Sequence, residues 1–325
     1  MILPDGGQIV KGFIFCENVN PTHLSIKEIN IFIHIPAISD IITTYEVNGK
    51  HLREVSVMTV DVLVRNNVKV LGSGSRTMVF AHGFGCDQDM WRYIVPGFSE
   101  NYQIVLFDYV GSGQSQINYY DAHKYSDLRG YATDVLEIME ALQLRDAIFV
   151  GHSVSSMIGM LASIQAPQYF KSIVMLGPSP RYVNDLPNYY GGFDRRDIDE
   201  LLEMMQLNFI GWASYLAPIV MQNAERKELT DELEKSFCSR DPHIARQFAE
   251  VTFLSDCREE LEQVSVPTLI LQCSDDSIAP VEVGDYLHAH LKNSMLQQMT
   301  AKGHYPHLSQ PEETIRLIKN YLTSA

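Results

Sequence analysis

The stretch Ala147-Ile-Phe-Val-Gly151-His152-Ser153-Val154-Ser155-Ser-Met-Ile-Gly-Met-Leu-Ala162 decides the fold. Its first four residues are a short apolar run of the kind a strand buried on both faces requires. From Ser156 onward it reads as a helix. Between them, Gly151-x-Ser153-x-Ser155 comes close to the nucleophile elbow G-x-S-x-G, a strained strand-to-helix turn that lifts a serine hydroxyl above the sheet. Gly151 permits the tight approach. Ser155 stands where the pattern has its second glycine; it is small, so the turn is expected to survive with slightly more strain. Alone, the string reads better as a plain strand-to-helix turn, and its weight as an elbow comes from what surrounds it.

Working outward, Thr77–Ala81, Ile104–Phe107, Ser172–Leu176 and Thr268–Gln272 repeat the short apolar run. Val60–Val64 and Val68–Val70 are expected to form a short β-pair around a polar turn at Arg65-Asn-Asn67. Helical stretches such as Gly130–Leu142 alternate with the strands. This predicts an α/β doubly wound architecture with a mostly parallel central sheet flanked by helices. The alternation stops between Pro178 and Pro267. Helical patterns over 197–205, 208–216, 229–237 and 242–255 predict a four-helix cap, about 179–260, inserted before the penultimate strand.

A serine nucleophile needs a base and an orienting carboxylate, and in α/β sheets of this kind they follow in the order Ser, Asp or Glu, His. The strand Leu269–Gln272 runs into a loop carrying Asp275 and Asp276. Asp276, four residues before Pro280, is preferred as the orienting acid, and Asp275 remains the second choice. His304 follows Gly303 in the loop before a final helix, Pro311 to Leu322, and is preferred as the base over His307. Upstream, His82-Gly-Phe84-Gly after a strand is either a flexible turn or the loop that aims the Phe84 N–H at a developing oxyanion. The amide after the nucleophile, Val154, would be the second donor. Phe84, His152, Phe193, Trp212 and Phe253 are expected to line the substrate pocket, though aromatic cap residues are more often helix core. Asp108-Tyr-Val-Gly111-Ser-Gly113 lacks the lysine and spacing of a phosphate loop and reads as a structural turn.

Composition narrows the class. Lysine and arginine total 25 against 40 acidic residues, a net charge of −15 with no basic run, so nucleic acid is excluded as a partner. The five cysteines (Cys16, Cys86, Cys238, Cys257, Cys273) never form a CxxC pair, which argues against a disulfide framework or zinc site. His82, His123, His243, His288 and His290 lack companion ligands, so neither a metal nor a cofactor is expected. No apolar run reaches the ~18 residues of a membrane span, and the start lacks a secretion signal. A cytoplasmic protein is expected.

Residues 1–57 read differently from the rest. Ile29–Pro36 alternates weakly, as an extra strand or tail without a paired element. The sharper expectation is an artefactual upstream start: Arg53-Glu-Val55 can be encoded by codons resembling a ribosome-binding site, with Met58 a suitable distance beyond.

From Met58 to the C-terminus the chain resembles the RsbQ-like α/β-hydrolases, bacterial positive regulators of the general-stress sigma factor B. It is similar, more distantly, to the plant karrikin and strigolactone receptors. The resemblance rests on Gly83-Phe-Gly-Cys-Asp-Gln88, Leu106-Phe-Asp-Tyr-Val-Gly-Ser-Gly113, Val150-Gly-His-Ser-Val154 and Gly177-Pro-Ser-Pro180. Asn188-Tyr-Tyr-Gly-Gly-Phe193, Ile270-Leu-Gln-Cys273 and Gly303-His304 carry it into cap and C-terminus. It implies a triad of Ser153, Asp276 and His304, oxyanion donors at Phe84 and Val154, and a small apolar pocket under the cap. It also implies a PAS-domain serine phosphatase as partner, a small hydrophobic ligand or ester, and no membrane. A stand-alone carboxylesterase of small hydrophobic esters is the other reading, and the same triad serves both.

Overall fold

A computed structural model describes residues 26–35, 38–47, 50–58 and 61–324; Cys16 and Val60 lie outside them. The chain divides into two units, Met1–Val60 and Asp61–Ala325. In the first, β1 (Ile26–Ile35), β2 (Ile38–Val47) and β3 (Lys50–Met58) form an antiparallel meander, with Ile31 opposite Ile42 and Ile42 opposite Val55. The strand expected at Ile29–Pro36 is therefore paired over Ile29–Ile35 against β2, and Pro36 lies outside the described residues.

The second unit opens on a helical turn where a strand is expected. Val62–Arg65 is a helical turn, α1, and not a strand. Asp61 accepts hydrogen bonds from the Leu63 and Val64 amides (3.0 and 3.4 Å), a helix N-cap that overrides the β-branched run. After it come β4 (Lys69–Leu71), β5 (Arg76–Ala81), β6 (Tyr102–Leu106), α2 (Leu128–Ala141), β7 (Ala147–His152), α3 (Val154–Gln165) and β8 (Phe170–Leu176). The insert holds α4 (Arg195–Leu207), α5 (Phe209–Met221), α6 (Lys227–Cys238) and α7 (Pro242–Phe253), the four cap helices. The chain closes with β9 (Thr268–Gln272), α8 (Val281–His290), β10 (Ser294–Gln298), α9 (Pro306–Ser309) and α10 (Pro311–Ser324).

The sheet order is β10-β9-β8-β7-β5-β6-β4, parallel throughout except for β4. Every residue of β7 and β9 is buried, which is why these strands read as unbroken apolar runs. The order reverses about β5, whose neighbours are β6 and β7; ligands of open α/β sheets gather at the carboxyl ends beside such a reversal. Register does the rest. Ala81 lies opposite Gly151, so the loop after β5 emerges beside the elbow after β7.

Two polar nodes hold the loops. Asp108 accepts from the Gln88 and Gln114 amides (both 2.9 Å) and from Asn67 Nδ2 (2.7 Å), so the turn through Gly113 is structural. The buried Asp134 accepts from Lys124 Nζ (2.6 Å), Tyr125 Oη (2.8 Å) and Arg65 Nη2 (3.1 Å). Asp134→Ala would leave the buried Arg65 short of a counter-charge, and such losses cost about 3–5 kcal/mol. We expect the midpoint of thermal unfolding to fall by roughly 10 °C. An unchanged melting curve would show the node to be dispensable.

Candidate active site

Ser153 sits at the elbow between β7 and α3 with φ 55° and ψ −124°, a conformation a non-glycine residue adopts only when its surroundings impose it. The Ser153 amide donates to the Leu176 carbonyl at 2.8 Å, fixing the turn to the end of β8. Gly151 is required by close approach, since a Cβ there would lie 2.5 Å from the Ser155 carbonyl oxygen. Ser155 is fully buried, and its hydroxyl donates to the His82 carbonyl and accepts from Tyr109 Oη at 2.9 Å. Ser155 thereby ties the elbow to the loop after β5.

That elbow meets two other loops. His304 Nε2 accepts from Ser153 Oγ at 2.8 Å, and His304 Nδ1 donates to Asp276 Oδ2 at 2.8 Å. The second Asp276 oxygen accepts from the Ile278 and Ala279 amides (2.8 and 3.2 Å), so both carboxylate oxygens are engaged. Ser153, His304 and Asp276 thus form a triad-like arrangement. Asp275 only lends its carbonyl to the Gly303 amide, and the fully buried His307 stacks near Trp91, 4.9 Å between ring centroids.

Helix α5 is bolted to this machinery. The Val220 carbonyl accepts from the His304 amide (2.8 Å), the Ile219 carbonyl from Ser277 Oγ (3.1 Å), and Asn223 Nδ2 donates to the Lys302 carbonyl (3.2 Å). Gly303, at φ +80°, passes so close that a Cβ would lie 2.2 Å from the Met221 carbonyl oxygen.

Phe84 and Val154 flank the nucleophile. Val154 is the first residue of α3, where an amide has no partner within the helix. Phe84 lies inside a turn closed by the Cys86 amide on the Gly83 carbonyl (3.3 Å). Beside Ser153 is a cavity of about 20 Å³, lined by Phe84, Tyr182, Leu216, Val220, Phe237, Phe253, Ile278 and Tyr305 among others. That is room for about one water. A second pocket of about 420 Å³ shares Leu216, Phe253 and Ile278 with it and adds Phe193, Met204 and Tyr215. Anything larger than a water therefore reaches Ser153 only as these side chains or the cap shift.

The expected pocket residues divide. Phe84 and Phe253 line the cavity, and Phe193 lines the neighbouring pocket. Trp212 stands edge-on to Phe84 at 6.0 Å, as cap core. His152 does not line the cavity: at the last position of β7 it is fully buried behind the triad, its Nε2 donating to the His304 carbonyl (2.7 Å). Tyr182 was not anticipated, and its hydroxyl lies 3.4 Å from Ser153 Oγ. Its place just past the carboxyl end of β8 is the signal that could have found it. Among the described residues no three His, Cys, Asp or Glu side chains converge as metal ligands, and no helix is long and apolar enough to cross a membrane.

Burial sets the charge states around the site. It holds the imidazoles of His82, His152 and His307 below the usual histidine range; nearby His307 and His304 add to the effect at His152, and His304 and Arg92 at His307. Burial likewise raises the Tyr182 hydroxyl above the ordinary tyrosine range, so it stays protonated as a donor. A depressed imidazole stays neutral in the fold while the unfolded chain takes up a proton below about pH 6.5. Stability is therefore full above that pH and lost as pH falls toward the folded-state values. For His152 and His307, held well below that range, the loss should be about 2 kcal/mol between pH 6.5 and 5.5, with His82 acting in the same direction. Denaturant midpoints that stay flat over that range would show these imidazoles to be charged in the fold.

Comparison with known proteins gives concordant matches. A family profile for the alpha/beta hydrolase fold matches residues 76–311. The chain is 42% identical over 258 residues to the karrikin insensitive 2 receptor CA of Petunia hybrida, covering 79% of this chain and 95% of that protein. It is 35% identical over 263 residues to the strigolactone esterase D14 of Arabidopsis thaliana, covering 81% and 98%. Among solved structures, a hydrolase from Oleispira antarctica is 44% identical with a TM-score of 0.80, covering 82% of this chain and 97% of that one.

Proposed function

This chain belongs to the α/β-hydrolase family, and on that premise we propose that it is a serine hydrolase of the carboxylic-ester type, acting on a small apolar ester. The carrying observation is the unbroken hydrogen-bond chain Ser153–His304–Asp276 beneath an apolar cap. Ser153 Oγ attacks the ester carbonyl as its proton passes to His304 Nε2. The tetrahedral oxyanion is met by the Phe84 and Val154 amides. Asp276 keeps the Nδ1 proton in place and stabilises the imidazolium. His304 then protonates the leaving alkoxide, freeing the alcohol and leaving an acyl group on Ser153. Water, activated by His304, hydrolyses it.

In the cell we read this hydrolase as a cytoplasmic positive regulator of the sigma-B stress response, carried by residues 58–325 and acting with a PAS-domain serine phosphatase. Support comes from the resemblance of the sequence motifs to those of the RsbQ-like regulators, and from relatives named both as receptors and as an esterase. The test is p-nitrophenyl butyrate hydrolysis, with mass spectrometry of rapidly quenched enzyme. A butyryl group on Ser153 is expected; no turnover and no adduct would overturn the enzyme reading. Affinity capture from the native host should recover the phosphatase. Ester turnover with no phosphatase captured would leave only the esterase.

A further inference from the structure

The residue expected in the pocket and found behind it adjoins the nucleophile, the base and the oxyanion loop. His152 immediately precedes Ser153 in the chain. Its Nε2 donates to the His304 carbonyl at 2.7 Å, and its ring lies 4.9 Å from the His304 ring, centroid to centroid. On the opposite side, a Cβ on Gly83 would come within 2.4 Å of His152 Nδ1, so the loop bearing the Phe84 amide rests against the imidazole. The rings of Tyr305 (4.9 Å) and His307 (4.5 Å) close the remaining sides. The side chain is fully buried, and its Nδ1 has no hydrogen-bond partner.

A carbonyl oxygen only accepts, so the bond to His304 fixes His152 as the neutral Nε2–H tautomer. Burial in this aromatic nest keeps it neutral. His304 is thereby held at both ends of its own backbone, by the Val220 carbonyl on its amide and by His152 on its carbonyl.

We propose that His152 is a positioning residue for the hydrolytic reaction: one imidazole sets nucleophile, base and oxyanion loop in register. It touches no substrate. This role rests on the serine-hydrolase reading above and extends it to a residue outside the triad. A displacement of the base by about 1 Å is enough to cost on the order of 100-fold in rate.

The test separates reach from polarity. Glutamine can place an amide N–H where Nε2 stands, whereas asparagine reaches only the Nδ1 position and leucine donates nothing. The full chain and its His152→Gln, His152→Asn and His152→Leu variants are compared in two ways. One is the labelling rate of Ser153 by a fluorophosphonate; the other is kcat and KM on p-nitrophenyl butyrate. Asparagine and leucine should each lose about 100-fold in labelling rate and in kcat with KM unchanged, and glutamine should return to within about tenfold of the parent. Melting curves show which variants fold, and if leucine does not, the two amides of equal polarity still decide. A glutamine variant no faster than asparagine, for whatever reason, overturns the proposal, as does a folded asparagine or leucine variant with parental rates. Silence of the unsubstituted chain toward both reagents would instead sink the hydrolase reading, and this role with it.

Discussion

Replacing Ser153 by alanine should lower kcat by on the order of 10⁶, about 8 kcal/mol of transition-state stabilisation, on the scale known for subtilisin's serine. The elbow presents this hydroxyl to His304 Nε2 at 2.8 Å, and once it is gone the imidazole has no nucleophile to activate. A residual rate from the oxyanion donors and binding is expected. The side chain is small and alanine suffers the same φ of 55°, so stability should change by less than about 1 kcal/mol. The measurements are kcat, an unchanged melting midpoint, and a sigma-B reporter strain. A folded variant silent in the reporter ties signalling to chemistry at Ser153. Normal signalling by the dead enzyme would overturn hydrolysis as the signal and leave ligand binding in its place.

Asp276→Asn should cost about 10⁴ in kcat with KM little changed. The reason lies in the second oxygen. Asp276 Oδ1 accepts from the Ile278 and Ala279 amides, so an asparagine at 276 keeps its own oxygen there and turns its NH₂ toward His304. That NH₂ donates, so His304 Nδ1 must become an acceptor and the ring proton moves to Nε2. The imidazole then faces Ser153 with a proton it already holds and cannot take another as a neutral base. The loop stays capped, so the fold should survive. A loss under tenfold would remove Asp276 from the orienting role.

The frame and the triad-like arrangement were legible because each rests on local grammar. Continuous apolar runs marked β5 to β9, and Gly151-x-Ser153, the Asp276 loop and His304 follow the elbow's chain order. What escaped was set by a single capping residue, by an edge strand's own polarity, or by neighbours distant in sequence. Val62–Arg65 looks like a strand until Asp61 is seen capping it, and Ser294–Gln298 is too polar an edge strand to stand out. His152 and Trp212 carried the right chemistry for a pocket, yet which way each faces is decided by strand and helix packing that no spacing reveals. Ser155 gained its purpose only from the His82 carbonyl, distant in sequence.

The bolts between α5 and the catalytic loops make an interlock. The last turn of that helix cannot lift without releasing the His304 amide and the Ser277 hydroxyl, so any opening that swings it also disarms the base. Cleavage therefore requires this turn seated, with room made by shifts of Leu216, Phe253 and Ile278. A guest too bulky to leave it seated would halt its own cleavage. Such a molecule would be retained rather than consumed.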